Sequence, residues 1–207
     1  LKDSGEIARF EDLTDTKWYG KICSRPGSHV YNRALLSSII AANGNEAALT
    51  WAKGLVENFA RSPRGNDRSQ IKAIFSGECA IALVNHYYYG KLINSKDPAH
   101  RKWAGSVDII IPNQGPTDRG AHINISGGGI AKHAKNVKEA KQFMEFLVSK
   151  NAQELYASIN YEYPVITGVD LPKTLTAWGD FKEDQVPIES LADLSSEAQK
   201  IIDTVTW

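Results

Sequence analysis

The hydrophobic positions of this chain change period along its length, and the changes mark out its elements. Ala80-Ile81-Ala82-Leu83-Val84 is an unbroken apolar run of strand length and reads as a buried strand. It is closed by Asn85-His86 and by three consecutive tyrosines, Tyr87, Tyr88 and Tyr89. Gly20 to Ser24 is a second short strand, broken by Pro26-Gly27-Ser28. Ser28 is a suitable N-cap for a helix running through Ala34-Leu35-Leu36 to about Ala42 and ending at Asn43-Gly44. Residues 46–59 put Ala48, Trp51, Ala52, Leu55 and Phe59 on one helical face. Residues 11–19 predict a surface turn of helix. A loop over 61–67 leads, with Asn66 or Asp67 as cap, into a helix carrying Ile71, Ile74 and Phe75. Residues 107–111, stopped by Pro112, and 123–130, passing Gly127-Gly128-Gly129, predict further strands. Helices are expected over 136–148, with Val137, Ala140, Phe143 and Leu147 in phase, over 152–159, and in short pieces from Leu171 onward. Strands alternating with helices predict an α/β protein with a largely parallel sheet.

That alternation gives the tyrosines a meaning. Neighbouring side chains point to opposite faces of a strand and lie well apart around a helix, so adjacent tyrosines converge on one target only where the backbone turns. In open α/β sheets, ligand sites lie just beyond the carboxyl ends of strands. Tyr31, in the first turn after the earlier strand, occupies a junction like that of Tyr87. Adjacent tyrosines alone are more often core-edge residues; the shared strand-end placement is what favours a ligand site. His29 and His86 flank the tyrosines. Imidazole can bind a metal ion, but here both read as helix-start or surface residues. Tyr161 and Tyr163 read as packing residues.

Composition narrows the classes. Among 207 residues, 24 basic and 24 acidic side chains balance to zero formal charge. That balance argues against a nucleic-acid or membrane-surface partner held by bulk electrostatics. No apolar run approaches the roughly 20 residues that span a bilayer. Leu1-Lys2-Asp3-Ser4-Gly5 shows neither initiator Met nor signal-peptide pattern and reads as the start of a processed, truncated or partial chain. Cys23 and Cys79 each precede a tyrosine, Tyr31 or Tyr87, by eight residues. They read as two buried free thiols, with a disulfide open if the two strands are parallel neighbours in register. Arg61, Arg64 and Arg68 read as a solvated loop with ordinary ion pairs. The glycine triplet lacks P-loop and dinucleotide spacing and reads as a hinge or tight strand crossing. No catalytic triad or paired carboxylates stand out.

Several stretches together resemble the ferric-ion-binding periplasmic proteins of ABC importers, in particular the cyanobacterial-type subfamily. They are Phe10-Glu11-Asp12-Leu13, Lys17 to Ile22, Asn58 to Pro63, Asn85 to Gly90, His122 to Gly127 and Asn160 to Val165. The resemblance implies a type II periplasmic-binding fold with iron held in a cleft between two lobes. On that reading residues 10–118 form a complete second lobe with a mainly parallel sheet flanked by helices. Residues 119–165 return into a first lobe that is only partly present, crossing a hinge, and residues 166–207 are helices packing back on the second lobe. Family members are longer and begin with a first-lobe segment, so a missing N-terminal segment or separate chain is implied. The resemblance places the metal-ligating pair on Tyr87 and Tyr88, a third ligand on Tyr31 and an anion contact on Ser28, and leaves Tyr89 a supporting role. It implies ferric iron, with carbonate as a possible synergistic anion, permease subunits of an ABC importer as partners, and a periplasmic, non-enzymatic protein.

Phenols suit that ion. Ferric iron is a hard trivalent cation that favours anionic oxygen, and three phenolates balance its charge. With three protein ligands on one lobe, water, an anion or another chain must supply the rest, and weaker retention than in a two-lobed protein is expected. The residues alone leave other functions open. One is a binding protein of the same fold for another small anion or polyamine; the other is an enzyme using a tyrosine as general acid or base.

Overall fold

The computed structural model describes residues 7–207; the start of the chain, including Leu1 to Gly5, lies outside the described residues. At its centre, β1 (Ile22–Cys23) pairs in parallel with β2 (Ile81–Ala82), with Ile22 opposite Ile81 and Cys23 opposite Ala82. Each strand feeds a helix at its carboxyl end: β1 leads to α1 (Val30–Asn43) and β2 to α4 (His86–Ile93). Between them lie α2 (Asn45–Glu57) and α3 (Asp67–Phe75), and after them α5 (Pro98–Ala104). This β-helix-β order with parallel pairing is the α/β organisation expected.

The apolar faces explain the packing. Leu36, Ile39, Ala52, Leu55 and Ile22 are wholly buried in one core, and each large aliphatic removed from water there contributes about 2 kcal/mol. Into the same core pack α10 (Ser195–Val205), through Ala198, Ile201 and Ile202, and Trp207, whose ring lies edge-on to Trp51 at 5.9 Å. Gly44, at φ 80°, ends α1, and the Asn66 side chain caps α3 by accepting from Ser69 N–H at 3.1 Å. Residues 11–19 form two 3-10 turns, Phe10–Thr14 and Thr16–Trp18.

Among the described residues the chain divides into two units. One runs up to Asn124 and resumes over Phe181–Trp207; the other is Ile125–Asp180. The first also holds α9 (Ile188–Asp193), which packs against α1. The second contains α6 (Val137–Leu147), α7 (Lys150–Leu155), the π-helical turn Tyr156–Asn160 and α8 (Lys173–Thr176). Its α6 keeps the expected helix, but the apolar stripe is open: Val137 is 43% and Phe143 59% exposed.

Several expectations need correction. Residues 107–111 and 123–130 form no strand, because neither run has a partner ladder; Ile110 and Ile125 are about half exposed, at 47% and 56%. The 80–84 run is half-buried rather than buried, and only two of its residues pair. His29, not Ser28, caps α1: its ring accepts the Tyr31 N–H at 3.3 Å, while Ser28 stays exposed. Cys23 and Cys79 are not free thiols but a disulfide, with Cα atoms 5.9 Å apart. The strands are parallel neighbours, yet Cys23 is opposite Ala82 rather than Cys79. Cys79 lies in the turn before β2, and the backbone pairing of Ala80 and Ile81 N–H with Lys21 C=O brings that turn alongside Cys23.

Candidate metal centre

Because β1 and β2 run the same way, α1 and α4 begin at the same end of the sheet. Tyr31 is the second residue of α1; Tyr87 and Tyr88 are the second and third of α4. A helix start turns consecutive side chains sideways, and the three phenols meet there. The Tyr31 hydroxyl lies 3.5 Å from that of Tyr88, and the Tyr87 and Tyr88 rings lie 4.6 Å apart between centroids. All three are half-buried, open enough for a ligand to reach and shielded enough to feel one another.

The loop leading to Tyr31 is held from below. Asn32 donates to Ser24 Oγ and to the carbonyls of Arg25 and Pro26, at 2.9 to 3.2 Å. Trp207 Nε1 donates to Ser24 Oγ at 3.2 Å, and Gly27 N–H to Trp207 C=O at 3.2 Å. Gly27 is obligatory at this approach, since a Cβ there would sit 2.6 Å from the Trp207 ring. On the other side, Asn85 Nδ2 donates to the Tyr87 hydroxyl at 3.1 Å.

The electrostatics favour the protonated forms of Tyr87 and Tyr88. Burial, then the hydrogen bond with Tyr31, pushes the Tyr87 phenol well above its ordinary value of 10.0. For Tyr88 the hydrogen bond with Tyr31 comes first and burial second, in the same direction. Cations ring the aromatic faces: Arg25 stands 5.0 Å from the Tyr31 centroid, Arg68 5.6 Å from Tyr88, and Lys91 5.6 Å from Tyr87.

Of the residues singled out from sequence, Tyr31, Tyr87 and Tyr88 come together, and Ser28 lies exposed on the loop three residues before Tyr31. Tyr89 points elsewhere: it packs beside Ile71 and Leu92 and donates to Val107 C=O at 3.1 Å. His29 is the α1 cap and His86 the first residue of α4. Arg61 is not solvated; its side chain is 10% exposed and bonds Gln70 and the Cys23 sulfur. The Arg25–Asp67 ion pair beneath the phenols was not foreseen. Nothing in local spacing announces it, since 42 residues separate its partners. Among the described residues no group of three or more His, Cys, Asp or Glu is placed to hold a metal.

Comparison with known proteins agrees with this architecture. The family described as bacterial extracellular solute-binding protein matches residues 8–182. Iron uptake protein A1 of Synechocystis sp. is 45% identical over 202 residues, 98% of this chain and 56% of that protein. The solved ferric binding protein from Campylobacter jejuni superposes with a TM-score of 0.94 at 43% identity, covering 98% of this chain and 64% of that one. The Trichodesmium protein IdiA (FutA), in complex with iron and citrate ligands, gives 0.92 at 43% identity with the same coverage. The chain thus spans a little over half the length of the curated relative and under two thirds of these solved chains. Nearly all of it follows the type II periplasmic-binding fold, and the chain belongs to the bacterial extracellular solute-binding protein family.

Proposed function

We propose that this chain takes part in ferric iron capture, with Tyr31, Tyr87 and Tyr88 binding the ion as phenolates. The observation that carries this reading is the convergence of three phenols, with hydroxyls of Tyr31 and Tyr88 3.5 Å apart, at the shared end of two parallel strands. Iron is the cargo. The relatives are named for iron uptake and ferric binding, and delivery to permease subunits of an ABC importer from the periplasm follows from the same reading. Within the proposal Ser28 contacts a synergistic anion such as carbonate. The protein works by binding and release rather than by turnover.

The chemistry sets the cost. A phenol has a reference pKa near 10, so ionising three of them at pH 7 without metal costs about 12 kcal/mol. The raised values of Tyr87 and Tyr88 increase that figure. The metal must therefore displace the protons itself, which only a strongly Lewis-acidic, oxygen-seeking ion does well.

The test is titration with ferric nitrilotriacetate, followed by visible absorbance. Phenolate-to-iron charge transfer should colour the loaded protein, and Tyr31→Phe, Tyr87→Phe and Tyr88→Phe should each alter that colour. A colourless iron complex, or no iron binding at all, would overturn the proposal.

A further inference from the structure

The two halves of the phenol cluster are joined a second time, beneath the rings, through one buried carboxylate. Asp67, the first residue of α3, is 1% exposed. Its Oδ2 accepts from Arg25 Nη1, and its Oδ1 accepts the backbone N–H of Asn85 at 2.8 Å. Arg25 belongs to the loop between β1 and α1, where its guanidinium covers the Tyr31 ring at 5.0 Å. Asn85 sits immediately before α4. Its carbonyl accepts the Tyr88 N–H at 3.1 Å, and its side-chain amide donates to the Tyr87 hydroxyl at 3.1 Å. With the Tyr31–Tyr88 approach, these contacts close a ring running Tyr31, Arg25, Asp67, Asn85, Tyr88.

A buried pair of this kind is a poor device for stability alone. Desolvation of the two charges offsets most of their attraction, and a well-packed apolar pair would serve a core equally well. Arg25 Nε is even left without a partner while shielded from water. What the charged pair supplies is direction. One planar fork fixes the face of Tyr31, and one carboxylate with two occupied oxygens fixes the start of α4. Asp67 touches both ligand-bearing segments and belongs to neither.

We propose that Asp67 is a positioning residue for the phenol cluster. By gripping Arg25 with one oxygen and the start of α4 with the other, it sets the spacing of Tyr31 from Tyr87 and Tyr88, and with it the geometry offered to the metal. The inference rests on the iron-binding reading above. Coordination tolerates displacements of only about 0.2 Å, and partners that orient metal ligands typically change affinity tenfold to a hundredfold when lost.

The test compares wild-type protein with Asp67→Asn, Arg25→Lys and, as control, Arg64→Gln, which removes an exposed pair with Glu78. Asp67→Asn keeps an oxygen for the Asn85 N–H but loses the charge that holds Arg25. Arg25→Lys keeps the ion pair but lacks the planar group over Tyr31. Iron is supplied as ferric nitrilotriacetate, and affinity and the position of the charge-transfer band are read together. Asp67→Asn and Arg25→Lys should bind iron about tenfold to a hundredfold more weakly and shift or broaden the band, while Arg64→Gln leaves both unchanged. Wild-type affinity and an unshifted band in the two site variants would overturn the inference while leaving iron binding intact. Wild-type protein that never colours overturns both. Should Asp67→Asn fail to fold, Arg25→Lys, which retains the charge beside Asp67, decides the matter.

Discussion

The hydroxyls of Tyr31 and Tyr88 approach to 3.5 Å across 57 residues of chain, and the approach makes them chemically interdependent. Removing either should cost iron affinity in two ways, by losing a ligand and by releasing its partner. Tyr31→Phe and Tyr88→Phe are each expected to weaken ferric binding by at least tenfold, or about 1.4 kcal/mol. Tyr89→Phe, which loses the bond to Val107 C=O, should leave iron affinity unchanged and lower stability by about 1 kcal/mol. Parallel iron titrations and denaturant melts separate the two classes.

Raised phenol pKa values give the pH dependence its sign. Tyr87 and Tyr88 hold their protons in the metal-free fold, and phenolate ligation would remove them, so loading should release protons. Affinity should fall as pH falls, steeply between neutral and mildly acidic conditions; a flat profile would contradict phenolate ligation. The metal-free fold should respond at the opposite end of the scale. Above pH 10 the unfolded phenols ionise freely, whereas folded Tyr87 and Tyr88 resist, so the unfolded state holds fewer protons and stability is lost as pH rises. Thermal melts from pH 8 to 11, with and without iron, read both effects.

The Cys23–Cys79 bridge closes a loop across 56 positions. Loop-closure entropy of that size corresponds to about 4 kcal/mol. The double variant Cys23→Ser/Cys79→Ser should therefore unfold at markedly lower denaturant, and reductant should do the same to wild-type protein but not to the variant. The bridge joins the segments that lead to Tyr31 and to Tyr87, so iron affinity is expected to drop alongside stability.

Gly27 and Trp207 test the support of the Tyr31 loop. Gly27→Ala forces a methyl to within 2.6 Å of the indole and should destabilise by about 1 to 3 kcal/mol. Trp207→Ala, which empties a buried site and leaves Ser24 Oγ without its indole donor, should cost about 3 to 5 kcal/mol. Combining the two should recover part of the loss, because the clash disappears with the ring; chemical denaturation of the four proteins completes the cycle.

Much of this was legible in the order of residues. Helix faces such as Ala48, Trp51, Ala52 and Leu55 follow the 3.6-residue period and are buried as that period requires. The tyrosines stood out because three phenols in a row cannot share one face of a strand or helix. The short runs failed where period is uninformative. Residues 107–111 are as apolar as a strand but have no neighbour to pair with, and pairing is a property of the fold rather than of the run. The disulfide eluded the in-register argument because Cys79 sits in a turn, where register has no meaning. Asp67 signalled no more than a helix start, since an acidic residue there is ordinary until its buried partner is seen.

Parallel pairing of β1 and β2 has a consequence in the backbone itself. It sets the amino ends of α1 and α4 side by side, each carrying roughly half a unit of positive charge from aligned peptide dipoles. A cation arriving there with neutral companions meets repulsion from two directions. One that arrives with ionised oxygens, whether phenolates or a small bound anion, has that repulsion turned into attraction for its ligands. On the proposed function, the preference for ionised oxygen around the metal begins in the peptide groups, before any side chain touches the ion.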